Sequence, residues 1–82
     1  MNKEELIEKL KSIVEPYVQD QDAYQNLTEQ TDFINDLKIN SANLVDIVLD
    51  VEDTFDIEID NESMEKMLTV ANAVEIIQEK LN

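Results

Sequence analysis

Cysteine, histidine, tryptophan and glycine are all missing from the 82 residues, proline occurs once, and six basic residues face twenty acids. Without cysteine there is neither a disulfide nor a thiolate metal site, and a reducing compartment is the natural setting. Without histidine as well, no Cys/His zinc site can form, and no serine can be activated by a Ser-His-Asp relay, so a self-contained hydrolase is set aside. The acidic run over residues 50–62 invites comparison with a calcium loop, but it lacks the glycine and the ligand spacing that such a loop needs, and no metal is expected. Nothing distinguishes any pair of carboxylates from a solvated acidic face, so acid and base catalysis by such a pair gains no support. No long apolar run follows the charged N-terminus, so neither a targeting segment nor membrane insertion is expected, and cytoplasmic localisation is the default.

The shortage of bases leaves a formal charge of −14. A phosphate backbone needs Lys and Arg to neutralise it, so a nucleic-acid partner is excluded and basic protein surfaces are favoured instead. With 43% hydrophobic residues the chain can fold as one domain over residues 1–82, expected to be a monomer. A domain this short buries only about 60% of its unfolded surface, so modest stability is expected.

Apolar periodicity sets out the elements. Leu6, Leu10, Ile13 and Tyr17, widened by Ile7 and Val14, recur at helical spacing over residues 2–18, with Asn2 and Glu5 as capping partners and Pro16 ending or kinking the helix. Residues 19–35 are polar apart from Ala23, Tyr24, Leu27, Phe33 and Ile34, and read as a long loop held by those anchors. Ile57 and Ile59 alternate with acids over too few residues for a sheet, so they belong to a loop. Asn61 precedes a short helical set of Met64, Met67 and Leu68. Thr69 is placed to cap a last helix carrying Val70, Ala73, Val74, Ile77 and Leu81. The expected fold is all-α: a small four-helix bundle with a long first loop and a short third helix.

Residues 36–55 organise the rest. Asn40 is a good helix cap, so a helix is expected to start at Asn40 or Ser41, with Ser41 beside amides that have no intrahelical partner and suit a phosphate. Leu44, Ile47, Val48, Val51 and Phe55 form one side of that helix and read as core. Ala42, Val45 and Leu49 make a second apolar strip well off the first, rimmed by Asp46, Glu52 and Asp53. Either a wide buried face or a docking strip for basic partners accounts for it.

The segment Asp36-Leu37-Lys38-Ile39-Asn40-Ser41-Ala42 resembles the Asp-Leu-Gly-Ala-Asp-Ser-Leu motif of acyl carrier proteins. The likeness continues without gaps through Asp46, Glu52-Asp53, Phe55-Asp56-Ile57-Glu58-Ile59, Met64-Glu65-Lys66-Met67 and Thr69-Val70. It covers residues 33–81 closely and the first helix by pattern only. Three positions depart from the motif: Lys38 stands for glycine, Asn40 for aspartate and Ala42 for leucine or methionine, which suggests a specialised carrier.

The resemblance implies a 4'-phosphopantetheine arm on Ser41, flanked by Asn40 and Ala42 and transferred from coenzyme A by a phosphopantetheinyl transferase. The arm would hold acyl groups as thioesters for fatty acid or polyketide-type enzymes, and the chain itself would be no enzyme. Val45, Asp46, Leu49, Glu52 and Asp53 would dock acyl-transferring and chain-building enzymes through their basic patches. Val51, Ile59, Met64 and Met67 would contact cargo. Two alternatives stand beside this reading: an unmodified acidic helical adaptor for basic partners, and a carrier for amino or aryl acids.

Overall fold

The computed structural model describes residues 2–81. Helix α1 (Lys3–Val14) begins where Asn2 Oδ1 accepts the Glu5 backbone N–H at 2.8 Å, the cap expected from the sequence. It ends short of Pro16, in a 3-10 turn over Glu15–Tyr17. Its buried row is Leu6, Leu10 and Val14, four residues apart, whereas Ile13 and Tyr17 are half-buried at the margin. Ile13 sits about 100° round the helix from Val14, which turns it off the central row.

The long connection to the central helix is more structured than its polar composition suggested. It contains a short helix, α2 (Gln21–Gln25), started by Asp20 Oδ1 accepting the Ala23 N–H at 3.1 Å. Asp32 Oδ1 accepts the N–H groups of Ile34 and Asn35, both at 2.8 Å, and Asp36 Oδ2 accepts the Asp32 N–H at 2.7 Å. These side chains supply the backbone partners that an irregular segment would otherwise lack. The loop is also fastened to the far end of the chain. Phe33 N–H donates to Leu68 O, and Val70 N–H to Thr31 O, each at 3.0 Å.

Helix α3 (Leu44–Phe55) follows a 3-10 turn, Ser41–Asn43, and buries Ile47, Val48, Val51 and Phe55. It stops at Asp56, which takes the left-handed conformation at φ 55° and donates its N–H to Glu52 O. The short α4 (Asn61–Lys66) takes in Asn61 as its first residue and is capped by Asp60, whose Oδ1 accepts the Ser63 N–H at 2.7 Å. Ahead of α5 (Val70–Leu81), Thr69 Oγ1 accepts the Asn72 N–H and Asn72 Oδ1 accepts the Thr69 N–H, both at 3.2 Å. That is a capping box with asparagine in the usual place of a glutamate. Helix α5 buries Ile76 in addition to the expected Val70, Ala73, Val74 and Ile77, while Leu81 is 41% exposed.

The four longer elements, with α2 set into the first loop, enclose one apolar cluster. Leu6, Leu10 and Val14 meet Ile47, Val51 and Ile77 there, and Phe33, Leu37 and Ile39 of the loop are buried with them. No buried side-chain nitrogen or oxygen lacks a hydrogen-bond partner among the described residues. No described helix is long and apolar enough to cross a membrane.

Candidate functional site

The start of α3 is fixed from both sides. Upstream, Leu37 and Ile39 are buried, with Leu37 O accepting the N–H groups of Gln19 at 3.1 Å and Asp20 at 3.2 Å. Downstream, Ile47 and Val48 pull the helix onto the core. Between them Asn40, Ser41 and Ala42 are exposed. Asn40 is extended (φ −64°, ψ 131°), and its Oδ1 accepts the Ala42 N–H at 2.9 Å. Asn40 is thus the cap, and the Ser41 hydroxyl makes no hydrogen bond among the described residues.

Ser41 therefore presents a free hydroxyl in the 3-10 turn that leads into α3, three residues ahead of the helix start at Leu44 and not at the helix start the sequence suggested. The Ala42, Asn43 and Leu44 N–H groups are already bonded to Asn40 Oδ1, Asn40 O and Ser41 O. An anionic group attached there thus meets open solvent and the positive side of the turn rather than free amides, and the residues present can carry a covalent phosphodiester. The chain has no histidine to activate the hydroxyl, and no other side chain is hydrogen-bonded to it among the described residues.

The expected docking strip is laid out along the exposed side of α3. Val45 is 50% and Leu49 53% exposed, with Asp46 and Asp53 exposed beside them. Glu52 differs from those two acids. It is half-buried, and its Oε2 accepts the Ile59 N–H at 2.7 Å, while its backbone oxygen accepts the N–H groups of Asp56 and, at 3.1 Å, Ile57. One residue thus holds the turn from α3 to α4. Sequence spacing gave its place on the helix but not this bond, which spans seven residues. Asp50 is also engaged, accepting the Tyr17 hydroxyl at 3.3 Å. Partial burial first, then the Asp50 charge and hydrogen bond, push the Tyr17 hydroxyl pKa up from 10.0.

The residues expected to contact cargo do not all come together. Met64 and Met67 line a cavity of about 10 Å³ with Phe33, Leu44, Ile47 and Val48. That is roughly the room one water needs. Val51 lies in the core and Ile59 borders an open acidic cleft with Glu58, Asp60 and Lys80. The lining contributed by Phe33 was legible only as a loop anchor, and that of Leu44, Ile47 and Val48 only as a core stripe.

An all-α bundle with an exposed serine at the head of its central helix has the architecture of a helical carrier domain. Comparison with known proteins narrows the class. No family profile matches the chain. The acyl carrier protein of Petrotoga mobilis is 41% identical over 83 residues, covering 100% of this chain and 94% of that protein. That of Lactobacillus acidophilus is 38% identical, covering 95% of each. The solved structure of the acyl carrier protein from Enterococcus faecalis superposes with a TM-score of 0.79 at 31% identity, covering 98% of this chain and 99% of that one. The chain belongs to the acyl carrier protein family, whose members are carriers and not catalysts.

Proposed function

We propose that this carrier is loaded at Ser41 with 4'-phosphopantetheine and delivers acyl groups to enzymes of fatty acid or polyketide-type assembly. The observation that carries the reading is the Ser41 hydroxyl, exposed and free because Asn40 takes the cap. A phosphopantetheinyl transferase removes the hydroxyl proton. The Ser41 oxygen then bonds to the coenzyme A phosphorus nearer the pantetheine, and the bond from that phosphorus to the adenosine bisphosphate breaks. The arm's terminal thiol supplies the thioester chemistry that a chain without cysteine cannot.

Docking falls to Val45 and Leu49 with Asp46 and Asp53, which offer a partner an apolar contact inside an acidic rim. Basic patches on the partner enzymes complement it, and such contacts form fast and weaken with salt. Met64 and Met67 are the adaptable part of the cargo site. Their unbranched side chains can swing aside, and a cavity of about 10 Å³ admits an acyl chain only if they do.

Intact-mass spectrometry before and after incubation with coenzyme A and a broad-specificity phosphopantetheinyl transferase tests the assignment. One phosphopantetheine should be gained by the wild type and none by Ser41→Ala. No gain by the wild type, under conditions that load a control carrier, would count against it.

A further inference from the structure

Six lysines are the whole supply of positive side-chain charge. Lys3 pairs with Glu29, Lys66 lies 3.6 Å from Glu62, Lys80 lies 3.9 Å from Asp60, and Lys11 stands 5.5 Å over the Tyr24 ring. Lys9 is exposed on α1. Lys38 has no ionic or aromatic partner among the described residues, although acids outnumber bases by more than three to one. The nearest acid in sequence, Asp36, is turned to the Asp32 N–H instead.

The Lys38 backbone is equally distinctive, with φ at 60°. Asp56 shares the left-handed region, where aspartate is several-fold enriched, but a lysine gains no such local relief. The flanking residues impose the conformation: Leu37 and Ile39 are buried, and Ile39 N–H donates to Phe33 O at 3.1 Å. Exposed Lys38 and Asn40 flank buried Ile39, so the lysine stands in the solvent-facing segment just before Ser41.

We propose that Lys38 anchors the base of the arm, its ammonium contacting the phosphodiester carried by Ser41. The inference rests on the reading of Ser41 given above and adds a positioning residue to it. A phosphodiester is a fixed anion, and on a chain of charge −14 it meets repulsion from most directions. The Ala42, Asn43 and Leu44 N–H groups beside Ser41 are already bonded, and Lys38 offers the one unengaged cation within three residues. Three residues of chain span at most about 10 Å, a gap that a lysine side chain and a serine-linked phosphate close between them.

The test compares the unmodified protein with the form loaded from coenzyme A, its loading confirmed by mass. NMR follows the titration of the Lys38 and Lys9 ammonium groups, and the phosphorus resonance is recorded in wild type, Lys38→Gln and Lys38→Arg. On loading, Lys38 should titrate at higher pH while Lys9 stays put, and the change should shrink in 1 M salt. The phosphorus resonance should move in Lys38→Gln and stay near the wild-type position in Lys38→Arg. An unmoved Lys38, a Lys38 that moves no more than Lys9, or a phosphorus resonance indifferent to Lys38→Gln overturns the anchor alone. Failure to load any protein overturns the reading of Ser41, and the anchor with it.

Discussion

Asn40 accepts the Ala42 N–H at 2.9 Å, and its neighbour is left with a hydroxyl that nothing in the described structure holds. The two residues should therefore separate cleanly under mutation. Asn40→Ala removes the cap and is expected to cost about 1 kcal/mol, a fall of roughly 4–8 °C in melting temperature for a domain of this size. Ser41→Ala should stay within about 0.5 kcal/mol of wild type, as surface changes away from special features do. A thermal melt of both variants checks this, and equal losses would return the capping role to Ser41. Lys38 is the complementary case. Relieving a lysine at φ 60° with glycine recovers a steric cost of roughly 1–2 kcal/mol and gives back part of it as unfolded-chain entropy. Lys38→Gly should thus melt higher by a few degrees, and a lower melt would show that the lysine side chain contributes packing of its own.

At the scale of elements, α3 divides its acids between fold and surface. Glu52→Ala leaves the Ile59 N–H without its 2.7 Å partner and should destabilise by about 1–3 kcal/mol, while Glu52→Gln keeps an acceptor and should lose less. Asp46→Lys removes no such bond, so it should slow loading by a transferase at low salt with little change in the melt. If Asp46→Lys loads as fast as wild type, the exposed side of α3 is not where the transferase docks. The helices themselves were legible in the sequence. The 3.6-residue spacing of Ile47, Val48, Val51 and Phe55 marked the core face of α3, and the exposed Val45 and Leu49 fell where the second strip was drawn. The resemblance around Ser41 supplied the family, and the relatives bear it out. What stayed hidden depends on contacts remote in sequence or on single caps. Nothing periodic announces α2, whose five residues hang on Asp20, and no spacing rule shows Glu52 reaching Ile59. Asp60 and Asn61 are both good caps, and only the geometry of the turn chose Asp60.

For the whole molecule, charge is the dominant unbalanced quantity. The described Cα atoms have a radius of gyration of 11.5 Å, so a net charge of −14 is confined within little more than a Debye length at physiological salt, about 8 Å. The ion pairs Lys66–Glu62 and Lys80–Asp60 are solvent-exposed and contribute little that screening could remove. Added salt or a divalent cation should therefore raise the melting temperature, and a flat or falling series would show that self-repulsion is not what limits stability. Asp60 sets an acid limit to stability. The Ser63 N–H bonded to its carboxylate, followed by the Ser63 hydroxyl and the Lys80 charge, holds its pKa below the ordinary 3.8. A carboxylate with a lowered folded pKa contributes in full above its unfolded value and loses that contribution as pH falls through the folded one. The acid limb of the melting curve should thus begin only below about pH 4, where the α4 cap is neutralised. Asp60→Asn keeps a capping oxygen without a titrating proton, so its acid limb should be shallower than that of wild type. If the two limbs coincide, the loss of α4's cap is not part of the acid transition.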